Sequence, residues 1–295
     1  MPGRIVLYNV PFTTYAQTVP YRTDGPSRAA ALGAVAALVR SVGPPGLRTP
    51  HTGALQYAAD QPRIPAAAIA TEDAERLQRM QNRGTRVRVR LRMDAHFLPD
   101  AESFNVIGEI RGRERADELV VVGGHIDSWD VGTASSDDGA GCVVTWEAVR
   151  LMKKLGLQPR RTVRVVLFTN EENGLRGALD YRDRYRDQLP NHVMLLESDT
   201  GIFRPTRFGF TGSGAARARV RQIATLLRPL RAVTIGPSGG GADIDPSVRA
   251  ASIPAMSLDV DGNYFLLHHT ETDTVDKIDP DDMARASAAV ASWRM

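Results

Sequence analysis

The sequence predicts an α/β fold in which a mostly parallel β-sheet is sandwiched between helices. Short apolar runs alternate along the chain with longer helical patterns, and strands covered on both faces are expected to be continuously apolar. A hydrophobic fraction of 42% in 295 residues is ordinary for a protein that buries a core. Several apolar runs end in glycine, histidine or carboxylate residues, as strands do at the ligand-binding edge of an open sheet.

The first hundred residues predict a smaller domain of their own. The expected elements are strands at 5–10 and 64–69, helices at 27–42 and 71–84, and a strand at 85–93. The last of these alternates Val or Leu with Arg, which is typical of a strand with one wet face. A change of pattern near residues 99–103 predicts a boundary, so that the domains are residues 1–101 and 102–295.

The rest of the chain predicts successive βα units. The expected strands are 105–110, 119–122, 162–168, 193–196, 208–210 and 253–258, and the expected helices are 138–155, 175–186, 215–227 and 280–293. The run Phe208–Phe210 is short, and we expect it at an edge of the sheet.

Composition excludes several classes of protein. A formal net charge of +3 gives no indication of nucleic-acid binding. No apolar stretch approaches the roughly 20 residues of a membrane span. Cys142 is the only cysteine, so no intramolecular disulfide can form. Because the chain begins almost directly in a strand-like run, we expect sequence to be missing upstream.

Candidate metal ligands follow the predicted strands in order. They are His125, Asp137, Glu171, Glu172, Asp199 and His269. Imidazole and carboxylate together suit zinc, and six such groups exceed what one catalytic zinc needs. A two-metal site uses them better, because two Zn²⁺ ions, three carboxylates and one bridging hydroxide sum to zero charge and avoid a large burial penalty. The sequence therefore predicts two Zn²⁺.

Further residues suit supporting roles. Neighbouring side chains on an extended backbone point to opposite sides, so one of Glu171 and Glu172 can bind metal while the other faces the attacking water as a general base. Asp127 lies two residues after His125, and Asp273 lies four after His269. Each of these two carboxylates is in a position to orient its imidazole.

The ordered motifs resemble those of the di-zinc exopeptidases, a family that includes bacterial aminopeptidases and glutamate carboxypeptidases. The motifs are GGHIDS at 123–128, DDG at 137–139, EE at 171–172, ESD at 197–199 and HHTETDT at 268–274. The resemblance implies a zinc exopeptidase-like fold for residues 102–295. It also implies that residues 1–101 are a partial protease-associated-type insert domain, because the family's N-terminal segment is not matched.

The family's pattern also implies a role for each position. His125 and His269 each bind one zinc, Asp137 bridges the two ions, and Glu172 and Asp199 complete the coordination. Glu171 is then the general base. The doublets leave alternatives, since Asp138 and His268 stand next to the chosen ligands and an Asp pair is also typical of a helix N-cap.

The expected activity is that of a zinc-dependent exopeptidase on short peptides, and the expected substrates are unblocked dipeptides. A metal-bridging hydroxide is expected to attack the peptide, with Glu171 as the general base. The resemblance also implies export from the cytoplasm and a homodimer. Three alternatives stay open: an inactive fragment, a non-catalytic binding relative, and a glutaminyl-cyclase-type acyl transferase. The loop at 238–243 is either a substrate-pocket loop with Asp243 near the charged end of the peptide, or a plain turn.

Overall fold

The computed structural model describes residues 2–230 and 234–293. Two compact units are present. The first unit comprises the residues up to Ala101 together with Phe265–Thr272, and the second unit comprises Glu102–Tyr264 and the residues from Asp273 onward. The ligand candidate His269 thus belongs to the first unit, although it is far from residues 1–101 in sequence.

The first unit contains a three-stranded parallel sheet of order β1-β2-β3. Its elements are β1 (Ile5–Tyr8), α1 (Tyr15–Thr18), α2 (Pro20–Thr23), α3 (Gly25–Ala31), β2 (Ala36–Arg40), β3 (Ala66–Ile69) and α4 (Thr71–Asn82). The central strand β2 is buried along its whole length. Its identification as a protease-associated-type domain stays a prediction from the resemblance.

Two predicted elements of this unit are corrected. The helix expected over 27–42 is the short α3 followed by strand β2, because Gly33 adopts a φ of +78° and ends the helix. A fully buried strand lacks alternation, so its pattern cannot be told from that of a buried helix. Residues 85–93 form no strand, since no neighbouring strand in the described ranges pairs with them.

The second unit is built on a seven-stranded sheet of order β4-β6-β5-β7-β10-β8-β9. Its strands are β4 (Val106–Ile110), β5 (Arg115–His125), β6 (Arg161–Phe168), β7 (His192–Glu197), β8 (Arg204–Thr211), β9 (Thr234–Gly236) and β10 (Ala255–Asp261). Its helices are α5 (Ala140–Lys154), α6 (Arg176–Arg184), α7 (Gly214–Ala224), α8 (Asp245–Ala251) and α10 (Pro280–Ala291), while α9 (Tyr264–Leu267) lies almost wholly in the segment that belongs to the first unit. Among the strands that the structure describes in this sheet, only β4 against β6 and β8 against β10 pair antiparallel.

Helices cover both faces of this sheet, as predicted. Val120 and Val122 pack into a core with α5 and α10, whereas Leu119 and Val121 pack into a second core that includes Tyr181 of α6. Alternate residues of one strand thus serve two cores, which explains why the strand is apolar without a break. The mostly parallel α/β sandwich is confirmed, but β8 is longer than expected and lies between β10 and β9 rather than at an edge.

The strand order places the predicted ligands together. The chain moves from β5 to β6 on one side and then to β7 on the other side of β5. Such a reversal opens a crevice beyond the carboxyl ends of the strands. His125 ends β5, Glu171 follows β6, and Asp199 follows β7, so all three lie at this edge. No helix of the described residues is both long and apolar enough to cross a membrane.

Candidate metal centre

Three predicted ligands of the second unit converge. One ligand atom each of His125, Asp137 and Asp199 lies within 4.8 Å of the others. His125 Nε2 is 3.3 Å from Asp137 Oδ1 and 3.5 Å from Asp199 Oδ1. An imidazole nitrogen between two carboxylates is a donor set that suits zinc, so the residues present fit the predicted metal.

His125 is buried and its ring is oriented by the backbone. Its Nδ1 lies 2.9 Å from the carbonyl oxygen of Asp127, to which it donates when it carries the proton. That tautomer leaves Nε2 with the lone pair that a metal needs. Burial alone would lower the pKa of His125, but hydrogen bonds with Asp137 and Asp199 outweigh burial and raise it well above its ordinary value.

Asp127 supports a different pair of residues from the one predicted. Its carboxylate stays 3.9 Å from the His125 ring. Instead, Oδ1 accepts from the amide of Glu171 at 2.9 Å and Oδ2 from the amide of Glu172 at 3.3 Å. The prediction that Asp127 orients His125 therefore applies to its carbonyl, while its carboxylate holds the turn that carries both glutamates.

The prediction that Asp273 orients the imidazole of His269 is wrong. Its Oδ1 accepts from the amide of Ser136 at 2.7 Å, and its Oδ2 accepts from the amide of Asp137 at 3.1 Å. These two bonds place the backbone of a predicted bridging ligand. The imidazole that Asp273 was expected to orient, that of His269, lies 3.1 Å from the carbonyl of Thr52 through its own Nδ1. Asp273 thus acts on Asp137.

The two glutamates after β6 differ in their surroundings. Glu172 Oε2 accepts from the indole Nε1 of Trp129 at 2.6 Å, and Glu172 is not a member of the group formed by His125, Asp137 and Asp199. Burial raises the pKa of Glu171 to about 8, with the nearby positive charge of His125 opposing that rise. The pKa of Glu171 therefore depends on the charges of His125 and of the neighbouring carboxylates.

Asp138 is not a helix cap. Its Oδ2 accepts from the backbone amide of His125 at 3.1 Å, and no side chain caps α5. A Cβ on Gly124 would lie 2.1 Å from Asp138 Oδ2, and one on Gly141 would lie 2.1 Å from Oδ1. Both glycines are thus required for this carboxylate to approach the backbone, and Asp138 fixes the end of β5 rather than replacing Asp137.

The sequence missed the importance of two further buried carboxylates. Glu197 Oε2 accepts from the amide of Ile244 at 3.0 Å, and burial followed by the charge of Asp199 raises the pKa of Glu197 to about 8. Asp243 is 1% exposed, and neither of its oxygens has a hydrogen-bond partner in the described part of the chain. The closeness of Asp243 to the charged end of a peptide stays a prediction, and the glycine run at 239–241 was the only sequence signal of its burial.

In the first unit, His269 lies in a segment with an unusual backbone. Its φ is +61°, and its ring stacks on that of His268 with centroids 3.6 Å apart. Its Nδ1 lies near both the Thr52 carbonyl and the guanidinium of Arg22. Sequence spacing gave no sign of either contact, because both partners lie more than 200 residues away in the chain.

Comparison with known proteins shows which family the sequence matches. Residues 105–294 match the model of peptidase family M28. Carboxypeptidase Q of Pongo abelii is 44% identical over 293 residues, which cover 99% of this chain and 62% of the relative. The chain therefore spans less than two thirds of the length of the curated relatives it matches. The resemblance of the ordered motifs is confirmed and extends to carboxypeptidase Q.

Two solved structures are similar in fold to this chain. A peptidase M28 precursor from Shewanella amazonensis superposes with a TM-score of 0.90 at 33% identity, covering 98% of this chain and 67% of that one. A zinc aminopeptidase from Bacillus subtilis has a TM-score of 0.66 at 19% identity over 99% of this chain and 69% of its own. The second likeness shows the fold alone.

Proposed function

The chain belongs to peptidase family M28, and from that premise we propose that it is a zinc-dependent exopeptidase acting on short peptides. The observation that carries the proposal is the convergence of His125, Asp137 and Asp199 at the carboxyl edge of the sheet. Carboxypeptidase Q, which is 44% identical to this chain, is the name of a curated relative. The proposed substrates are unblocked dipeptides, and the proposed metal content is two zinc ions.

The proposed ligands keep the roles that the motifs imply. Asp137 would contribute to both ions, His125 and His269 would each hold one ion, and Glu172 and Asp199 would complete the set. When bound, zinc supplies electrostatic polarisation of the scissile carbonyl and a lowered pKa for a water molecule. The chain's own residues contribute buried carboxylates that favour a cation at this edge, because uncompensated buried charge is costly.

Glu171 is the proposed general base. Its amide is anchored by Asp127 Oδ1, which holds the turn in place. Its carboxyl takes the proton of the attacking water and delivers it to the leaving amine. The pKa of about 8 reflects burial among other carboxylates, and cations bound beside it would bring that pKa down towards neutrality.

Export from the cytoplasm and a homodimer are also proposals, and both rest on the resemblance to the family.

The test is hydrolysis of an unblocked dipeptide by the zinc-loaded chain and by the Glu171→Gln variant. We expect kcat to fall by about 10²–10⁴-fold while zinc content stays unchanged, because general acid–base catalysis contributes about that factor. Glu102→Gln, at an exposed position, is the control and retains full activity. Full activity of Glu171→Gln with metal bound would exclude Glu171 as the base. Zinc binding by the parent chain without hydrolysis would favour an inactive fragment.

Peptides with one blocked end test which free end of the substrate the enzyme requires. The same dipeptide is supplied with an acetylated amino end and, separately, with an amidated carboxyl end. Loss of hydrolysis on acetylation alone indicates an aminopeptidase, loss on amidation alone indicates a carboxypeptidase, and loss on both indicates a dipeptidase. Hydrolysis of both blocked peptides at the rate of the unblocked one would contradict the proposal of an exopeptidase.

A further inference from the structure

An apolar groove lies within the first unit, between its sheet, helix α4 and the segment 86–91. The volume of the groove is about 540 Å³, which is within the range of about 300–1,000 Å³ that is typical of small-molecule sites. It is lined by Leu38 of β2, Ile69 of β3, and Leu77 and Met80 of α4. Three elements thus offer apolar surface to one ligand.

The segment 86–91 forms a further apolar wall of the groove. Val87, Val89 and Leu91 line it, and of these Val87 and Leu91 are half-buried. The segment alternates these residues with arginine, and it pairs with no strand among the described residues. The alternation that predicted a strand therefore separates an apolar set of side chains, which lines the groove, from a basic set.

Four exposed arginines also line the groove. Arg76 belongs to α4, and the segment contributes Arg86, Arg88 and Arg90. Within the part of the chain that the structure describes, none of these guanidinium groups has an ion pair or a hydrogen bond. Guanidinium groups that lie together without carboxylates are available to bind an anion.

Asp73 is the one acid in the described lining of the groove, and it is already paired. Its Oδ1 accepts from Arg48 Nη2 at 3.0 Å, and Arg48 does not line the groove. Arg40 of the same unit likewise pairs with Glu75 at 3.0 Å. The groove therefore carries excess positive charge, and a cleft lined by one sign of charge concentrates ions of the opposite sign.

Apolar walls with a cationic rim fit an amphipathic anion. A carboxylate forms charge-assisted hydrogen bonds with guanidinium groups, and an alkyl chain gains from removing the apolar walls from water. Leu38 is only 4% exposed, so part of the apolar lining is recessed. A surface that inserts into a membrane presents its apolar side chains outward instead, which favours a free ligand over a lipid bilayer.

We propose that this groove binds a free single-chain fatty acid, with its alkyl chain against the apolar walls and its carboxylate at the arginines of the segment 86–91. None of the lining residues is a proposed zinc ligand or the proposed base. The inference therefore goes beyond the proposed function, and each can fail without the other.

The first test is isothermal titration calorimetry of the whole chain with sodium decanoate below its micelle concentration. We expect saturable binding of one decanoate per chain. Octanoate is shorter by two CH₂ groups and binds about 15-fold more weakly, because each buried CH₂ contributes about 4-fold. Decyltrimethylammonium, with the same chain and the opposite charge, does not bind. Binding of 1-decanol as tightly as decanoate would show adventitious apolar binding only and overturn the inference.

The second test removes the positive charge of the segment with the combined substitutions Arg86→Gln, Arg88→Gln and Arg90→Gln. We expect decanoate to bind about 10-fold more weakly, because hydrogen bonds to charged groups are lost. The matched control makes the same change of net charge at exposed positions that do not line the groove, with Arg79→Gln, Arg83→Gln and Arg92→Gln. Equal weakening in both variants would indicate a general charge effect and contradict a site in the groove.

The third test places an acid inside the groove with Val89→Glu. Val89 is already 37% exposed, and the new carboxylate repels that of decanoate, so we expect no detectable binding. Val35→Glu is the control, because Val35 is 52% exposed and lies outside the lining; it keeps the parent's affinity. Unchanged binding in Val89→Glu overturns the inference. If circular dichroism shows that Val89→Glu is unfolded, the arginine variants and the octanoate comparison decide.

Two further probes test other occupants of the groove. One is a sedimentation assay with phosphatidylglycerol vesicles, and the other is a peptide of alternating Glu and Val, which could pair with the segment 86–91 as a strand. A chain that binds vesicles or the peptide but not free decanoate contradicts the assignment to a fatty acid.

Discussion

The two units differ in the ionisable groups they bury: among the described residues, only the second unit buries carboxylates. The second unit encloses carboxylates, among them Asp138, Glu197 and Asp243, and burial raises the pKa of each. The first unit encloses Arg22 and His51, and burial lowers the pKa of His51 to about 4. The second unit therefore holds buried carboxylates whose negative charge a bound cation can balance, whereas the buried ionisable groups of the first unit are bases.

The comparison also predicts opposite responses to pH. A carboxyl whose folded pKa is raised binds its proton more tightly in the folded state, so stability is lost as pH rises. A histidine whose folded pKa is lowered binds its proton more weakly in the folded state, so stability is lost as pH falls. All 3 tryptophans, Trp129, Trp146 and Trp293, belong to the second unit, so their fluorescence follows that unit selectively.

The largest expected effect is that of zinc on the second unit. At zinc concentrations about 1,000 times Kd, each ion stabilises the folded state by about 4 kcal/mol. We expect a corresponding rise in the tryptophan-detected unfolding midpoint of the parent chain. Asp137→Asn loses most of that rise, because it weakens the group that includes His125 and Asp199. If zinc raises the unfolding midpoint of Asp137→Asn as much as that of the parent, the buried carboxylates of the second unit are not the groups that bind it.

The next effect is the acid sensitivity of the first unit. His51 has a pKa of about 4 in the folded state and about 6.5 when unfolded. Stability is fully present above about pH 6.5 and falls by about 3 kcal/mol as pH drops towards 4, at about 1.4 kcal/mol per unit of pKa shift. Amide hydrogen exchange in β2 measures the loss.

Two variants test this assignment to His51. His51→Gln removes the titrating group and flattens the exchange profile between pH 6.5 and 4. His96→Gln, an exposed histidine of the same unit, keeps the parent's profile. An acid loss in β2 that persists undiminished in His51→Gln would place its origin elsewhere.

The smallest expected effect comes from Asp243 in the metal-free chain. Its pKa is raised by burial first and by Glu197 second, so its contribution is lost as pH rises above the unfolded value of 3.8. Asp243→Asn is neutral at all pH values, and we expect it to stabilise the metal-free second unit at pH 8 by about 1–3 kcal/mol. Tryptophan fluorescence during denaturant unfolding measures this. A variant less stable than the parent at pH 8 would show that the carboxylate is required.

Sequence reasoning predicted the second unit better than the first. The strands that end at His125 and Phe168 are apolar runs with a polar end, and both were located because parallel strands buried on two faces have that pattern. The helix expected over 27–42 was wrong because the buried strand β2 has the same composition as a buried helix. Residues 85–93 alternate as a strand would, but pairing depends on a neighbour that local sequence does not reveal.

The sequence predicted one part of the candidate site and missed another. The ligand types at His125, Asp137 and Asp199 followed from residue chemistry and order along the chain. The partners of Asp127 and Asp273 did not, since Asp127 reaches an amide 44 residues away and Asp273 one 136 residues away. A carboxylate two or four residues from a histidine suggests one partner by proximity, and the fold offered better donors.

The sequence by itself determined the fold class, the family and the kinds of atom available to a metal, because these depend on the order and chemistry of residues. Only the tertiary structure decided which donor meets which acceptor. Arg22 and Thr52 reach His269 across more than 200 residues, and Asp273 holds the amide of Asp137. Hydrogen bonds of this kind depend on distances of a few ångströms between distant segments, which local sequence does not encode.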